Sequence, residues 1–216
     1  MPTRQIDKLT IYGDSISGNC LKVRWVAERT QTPFQWVEVD LLKGDTRSEQ
    51  FLAINPVGQV PLARWPDGRV LPQSNAIMLY LAEEAGSDLI PEEAFKRAQM
   101  QSWLFWEQYT HEPSLAVRRF QKIYLKKSDD EIDPELMAKG RRALGTLEMQ
   151  LNYSDYLVGE QLSLADIACV AYTRWAHEGG FDLNEFPAVR RWVARIETDL
   201  GLEHAHQDIS SAEGDA

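Results

Sequence analysis

The apolar positions of this chain change their period once, and the change divides the chain in two. In the first third, short apolar runs alternate with helical patterns. Leu9–Tyr12 reads as a buried strand, stopped by Gly13 and Asp14. From Gly18 to Arg29, the residues Leu21, Val23, Trp25, Val26 and Ala27 predict a helix. Phe34–Leu41 alternates through Trp36, Val37 and Val39 and predicts a strand. Ser48–Ile54 reads as a short helix ended by Asn55-Pro56. Val60–Trp65 and Val70–Leu71 flank Pro66-Asp67-Gly68, a hairpin signature. Ser74–Glu84 predicts a helix with Ala76, Ile77, Leu79, Tyr80 and Leu81 on its apolar face. The order βαβαββα fits an α/β layer.

Strand signals nearly vanish after Gly86–Pro91. Helical patterns then run through Glu92–Tyr109, Pro113–Lys126, Pro134–Asn152, Leu164–Glu178 and Pro187–Thr198. This divides the chain into an α/β domain over 1–85, a linker over 86–93 and an all-α domain over 94–207. The small, polar and acidic residues 208–216 read as a disordered tail. Leu162-Ser163-Leu164-Ala165-Asp166-Ile167 is a capping box, with Leu162 and Ile167 placed as its staple. Ser163 and Asp166 are therefore given a structural role. Trp103, Trp106, Trp175 and Trp192 fall within the helices and are expected to be core or interface aromatics.

Composition narrows the function classes. The 33 acids and 23 bases leave a net charge of −10, which repels phosphate and argues against nucleic acid or an anionic membrane as partner. Two cysteines, Cys20 and Cys169, are too few for a disulfide framework or a four-cysteine zinc site, and no metal is expected. Met1–Lys8 is charged and lacks an apolar signal core, and no run of about 20 apolar residues occurs. The expected compartment is the cytoplasm.

Three short stretches carry candidate chemistry. In Asn55-Pro56-Val57-Gly58-Gln59-Val60-Pro61, the last proline enters a strand without an N–H. It is either an ordinary strand-entry proline or a cis one; a cis bond would present the backbone of Val60 to a peptide-like ligand. Gln73-Ser74-Asn75 stands directly ahead of the Ala76–Glu84 helical pattern. Ser74 can cap that helix, and the same helix start can bind a carboxylate. Tyr12–Cys20 links the first strand to the first helix, and Ser17 can cap that helix or donate to a thiolate at its positive end.

Together these stretches resemble the cytosolic glutathione transferase family, over nearly the whole chain to about Gln207. The resemblance implies a thioredoxin-like N-terminal domain, an all-helical C-terminal domain, glutathione as cosubstrate, a small electrophile as second substrate and a homodimer. It implies that Val60 pairs by backbone with the cysteinyl unit of glutathione, that Gln59 and Pro61 beside it belong to the glutathione-binding residues, and that Gln73 and Ser74 hold its γ-glutamyl group. Many members have Glu where Gln73 stands, so one negative charge towards the ligand's ammonium is missing. Arg47 resembles the basic residue that meets the glycyl carboxylate in some classes.

Ser17 stands three residues before Cys20, as the catalytic serine does in the S-x-P-C pattern of the serine-type classes. Asn19 replaces the proline of that pattern and leaves the class open. Asn19, Ser15, Tyr12 and Cys20 are the rival candidates for thiol activation, Cys20 through a mixed disulfide. The acceptor site is expected along Trp106–Phe120, with Tyr109, His111 and Pro113 as lining residues. His111 resembles a histidine that approaches the glutathione sulfur in some bacterial members, and Arg118 and Arg119 either face an anionic acceptor or solvent. The function implied is transfer of glutathione to a hydrophobic electrophile, as in detoxification. The alternatives are glutathione-dependent disulfide or peroxide reduction, or a non-catalytic binding protein on the same fold.

Overall fold

A computed structural model describes residues 8–205, and the tail expected over 208–216 lies outside them. Strand β1 (Leu9–Gly13) is flanked on both sides, which is why it reads as a nearly unbroken apolar run. It pairs in parallel with β2 (Phe34–Glu38), Ile11 opposite Trp36. On its other side it pairs antiparallel with β3 (Leu62–Arg64), Ile11 opposite Ala63. Strand β4 (Val70–Pro72) closes the β2-β1-β3-β4 sheet antiparallel to β3. Helices α1 (Gly18–Arg29) and α3 (Ser74–Glu84) pack on each other beside this sheet. The short α2 (Glu49–Leu52) is capped by the Ser48 hydroxyl, which accepts the Phe51 N–H at 3.2 Å.

Two strands are shorter than their sequence patterns. Strand β2 ends at Glu38 and not Leu41, because side chains take over the backbone donors there. Asp14 accepts the Leu41 N–H at 2.8 Å, and Asp40 accepts those of Leu42 and Lys43 at 2.9 and 3.0 Å. Strand β3 starts at Leu62, after Pro61, and the Val60–Pro61 bond is cis.

The helical half comprises α4 (Ala94–Trp106), α5 (Glu112–Arg119), α6 (Pro134–Leu151), α7 (Leu164–Thr173) and α8 (Pro187–Asp199). The break expected between Tyr109 and Pro113 is instead a π-helical turn, Glu107–His111. Here the Glu112 N–H reaches back five residues to the Glu107 carbonyl, just before Pro113, which has no N–H. A second π-helical turn, Phe120–Tyr124, follows α5. The pattern over Leu164–Glu178 resolves into α7 and a separate 3₁₀ turn, Ala176–Gly179.

Every residue of α7 is buried. Its capping-box residue Asp166 accepts the Ser163 N–H and O–H at 3.0 and 2.8 Å, the Leu157 N–H at 2.8 Å and the Trp192 indole N–H at 2.9 Å. Trp192 is fully buried, while Trp103 and Trp106 pack partly buried against the core. One apolar cluster joins Val23, Ile77 and Met78 of the sheet half to Leu104, Leu164 and Ala168 of the helical half. Val39, Phe51 and Leu62 form a smaller cluster, with Tyr12, Ile54 and Val60 packed against it.

Candidate active site

The loop between β1 and α1 is shaped by Asp14. This buried carboxylate accepts the Ile16 N–H at 2.8 Å as well as that of Leu41, and the Asp14 carbonyl accepts the Ser17 N–H at 3.1 Å. Ser17 then stands at the N-cap position of α1, with a hydroxyl that makes no capping bond. Two residues on, the Asn19 side chain is a junction. Its Oδ1 accepts the Ser74 hydroxyl at 3.1 Å and the Gln108 amide at 3.2 Å, and its Nδ2 donates to Glu112 at 3.4 Å.

The second wall element is the turn before β3. Buried Asn55 donates to the Gln59 carbonyl at 2.8 Å and accepts the Val57 N–H at 3.3 Å. Gly58 has φ of 65°, and a Cβ there would lie 2.6 Å from a guanidinium nitrogen of Arg47. Glycine thus lets Arg47 cross the turn, where it donates to the Val57 carbonyl at 3.4 Å. Gln73 holds φ of 74°, a left-handed value that costs a non-glycine residue about 1–3 kcal/mol. It sits directly between β4 and the first residue of α3, the buried Ser74.

These pieces line one cleft of about 690 Å³. Ser17, Asn19, Arg47, Gln59, Val60, Pro61, Gln73 and Ser74 all border it. The facing wall comes from the helical half, through Ala116, Val117, Phe120, Tyr124, Leu125 and Tyr172. Arg119 fastens that wall to the loop: it donates to the Ile16 carbonyl at 2.8 Å and to the Tyr124 hydroxyl at 3.0 Å, and pairs with Glu178.

Several residues expected here lie elsewhere. Tyr12 stacks edge-on against Phe51, and Ser15 gives both its N–H and its O–H to Glu38. Cys20 is fully buried, and burial pushes its thiol up to about 12, so it offers no thiolate. Cys169 is equally buried, with its thiol pushed up for the same reason.

Along Trp106–Phe120 the acceptor wall is in a different phase from the expected one. Tyr109 and Pro113 point outward, and Tyr109 is 88% exposed. Arg118 is buried against the Gly179 carbonyl and Asp129. Arg119 is the arginine that borders the cleft. His111 is fully buried, and burial pushes its imidazole down to about 4. Its Nε2 lies 2.8 Å from the Thr173 hydroxyl, whose own proton goes to the Cys169 carbonyl. Nε2 therefore carries the ring hydrogen, and Nδ1 has no partner.

The cleft residues Tyr172, Gln108 and Glu112 carry no local sequence signal. Tyr172 is one apolar position in an apolar helix, and the other two follow from the π-helical turn. Burial pushes the Glu112 carboxyl up. Among the described residues no cluster of potential metal ligands is found, and no helix is long and apolar enough to cross a membrane.

A sheet domain and a helical domain enclosing a cleft at two helix starts define a class, and the comparisons name it. Residues 16–84 match the glutathione S-transferase N-terminal domain, and residues 105–199 match the glutathione S-transferase C-terminal domain. Glutathione S-transferase theta-1 of Rattus norvegicus is 31% identical over 215 residues, covering 93% of this chain and 88% of that protein. The crystal structure of a glutathione S-transferase from Pseudomonas fluorescens Pf-5 superposes with a TM-score of 0.84 at 41% identity, covering 93% of this chain and 98% of that one. A glutathione transferase homologue from Drosophila mojavensis, solved with bound glutathione, superposes with a TM-score of 0.79 at 25% identity, covering 88% and 87% of the two chains.

The chain belongs to the cytosolic glutathione S-transferase family. Its N-terminal domain is thioredoxin-like, its C-terminal domain is helical, and its enzyme class is glutathione transferase.

Proposed function

We propose that this chain binds glutathione along the Ser17–Ser74 wall of the cleft and activates its thiol through the Ser17 hydroxyl. The observation that carries this reading is the single cleft that joins Ser17, Asn19, Arg47, Val60, Gln73 and Ser74 and faces them with a mixed wall that includes apolar Ala116, Val117 and Phe120. Glutathione is an anion, and its carboxylates find Arg47 at one end and the start of α3 at the other. The ligand of the Drosophila mojavensis relative supports glutathione as the cosubstrate.

Free thiols titrate near 8.5, so only a few per cent is thiolate at neutral pH. Lowering that value by about two units takes roughly 2.7 kcal/mol of preferential stabilisation of the thiolate. One hydroxyl donor and the positive end of α1 supply energies of that order. The thiolate then attacks an electrophilic carbon held against Ala116, Val117 and Phe120. A carbon–sulfur bond forms, the leaving group departs with its electron pair, and the thiol proton passes to solvent. Cys20, buried beneath the loop, takes no part, which argues against a reductase working through a protein cysteine. We also read the protein as a cytoplasmic homodimer, with exposed Phe105 and Tyr109 in the interface; small-angle scattering tests this.

The deciding experiment measures glutathione affinity by calorimetry, and turnover on a chloronitroaromatic and on a hydroperoxide. Conjugation of the aromatic, lost in Ser17→Ala with little change in affinity, is the expected result. Peroxide turnover alone would favour the reductase, and binding without turnover a non-catalytic role. No binding at millimolar glutathione would overturn both enzyme readings.

A further inference from the structure

A serine at a helix N-cap normally turns its oxygen back over the first turn, to accept an N–H from the second or third helical residue. For α1 those donors belong to Asn19 and Cys20. The Ser17 hydroxyl oxygen accepts neither, and the Cys20 N–H goes to the Ser17 carbonyl at 3.0 Å. The Asn19 N–H goes instead to the phenol oxygen of Tyr172, at 3.2 Å. Tyr172 belongs to α7, 153 positions along the chain and in the other domain.

The phenol reaches this place through Gly18. A Cβ on residue 18 would lie 2.8 Å from Tyr172 Cε1 and 2.9 Å from Cζ. Gly18 is helical and its φ is not left-handed, so backbone freedom does not account for it. Contact with the ring does. Ser17 and Tyr172 both border the cleft, and the Ser17 hydroxyl interacts with the Tyr172 phenol and with the Cys20 thiol.

We infer that Tyr172 is a positioning residue for Ser17: its phenol caps α1 in the serine's place and leaves the Ser17 hydroxyl turned to the cleft. The inference rests on the reading of Ser17 as thiol donor. One χ1 torsion sets the direction of a serine oxygen, so turning it to accept the Asn19 N–H would take it from the place it now holds. With the Asn19 N–H already satisfied, the capping rotamer has no reward. Burial keeps Tyr172 a neutral phenol, so it serves as hydrogen-bonding group and not as base.

Tyr172→Phe keeps the ring on Gly18 and removes only the oxygen. Freed from the phenol, the Asn19 N–H draws Ser17 into the capping rotamer. The expected result is a rise of about one unit in the apparent pKa of the bound glutathione thiol, read from thiolate absorbance, and a fall of about tenfold in kcat/KM below that pKa. The Kd of glutathione stays within about twofold, because the carboxylate-binding groups are untouched.

Ser17→Ala/Tyr172→Phe should be no slower than Ser17→Ala alone, since Tyr172 acts through Ser17. An unchanged thiol pKa in Tyr172→Phe, or losses that multiply in the double variant, would overturn the inference. A wild-type thiol pKa in Ser17→Ala would instead sink the reading of Ser17 itself. Gly18→Ala, which forces the ring away, is the second variant if Tyr172→Phe does not fold, and the same rise in thiol pKa is expected from it. No rise there would overturn the inference equally.

Discussion

The hydroxyl of Ser74 donates to Oδ1 of Asn19 at 3.1 Å, so the first turns of α3 and α1 are hydrogen-bonded to each other. The same oxygen takes the Gln108 amide from the helical half. Two positive helix ends are thereby held at a fixed angle to one cleft, and the second domain locks the angle.

Asn19→Ala releases Ser74 and Gln108 together. A neutral hydrogen bond contributes about 1 kcal/mol, so the Kd for glutathione should rise about fivefold. Calorimetry checks this, and an unchanged Kd would remove Asn19 from the binding wall.

Gln73→Glu adds a negative charge at the left-handed residue beside Ser74. If Gln73 faces the γ-glutamyl ammonium, glutathione should bind about three- to tenfold tighter in low salt. The gain should shrink as salt is added, because the site is open to solvent. Weaker binding would place a carboxylate of the ligand beside residue 73 in place of the ammonium.

Lys22 and Glu107 pair at 3.0 Å, both fully buried, and Glu107 also accepts from Asn75 and Gln108 at 3.3 and 2.9 Å. Lys22→Met strands the carboxylate and should cost about 3–5 kcal/mol in urea unfolding. Lys22→Met/Glu107→Leu should recover much of that loss. A single variant as stable as wild type would mean that the buried pair contributes nothing to stability.

His111 gives the chain an acid sensitivity of known sign. Its folded value near 4 lies below the ordinary 6.5, so the unfolded state binds the extra proton between those values. The stability from keeping it neutral is whole above pH 6.5 and drains as pH falls towards 4, by about 3 kcal/mol in all. Unfolding at pH 7 and pH 4.5 should show this slope in wild type and a shallower one in His111→Gln. Equal slopes would assign the acid loss to other groups.

The near wall of the cleft was legible because its parts are local. Val60-Pro61, Gln73-Ser74 and the Ser17 loop are each a few consecutive residues at a strand entry or a helix start, where residue type and backbone geometry are tightly linked. The far wall was not. It depends on the phase of a long helical stretch, to which the π-helical turn at Glu107–His111 adds a residue ahead of Pro113, Ala116 and Val117. One residue rotates all later side chains by about 100°. That is why Ala116, Val117, Phe120 and Tyr124 face the cleft, while Tyr109 and Pro113 face outward and His111 is buried. Tyr172 was hidden for another reason: its neighbours in space are 153 positions away.

The apolar cluster that runs from Val23 and Met78 into Leu104 and Leu164 has no seam at the linker. The two halves are separate in topology but share one core, so they should unfold in a single transition. A fragment holding only the sheet half would leave the outer faces of α1 and α3 bare and should not persist as a folded species. A substitution deep in α7 is therefore also a perturbation of the cleft, since the helix that anchors the core is the one that delivers Tyr172 to the start of α1.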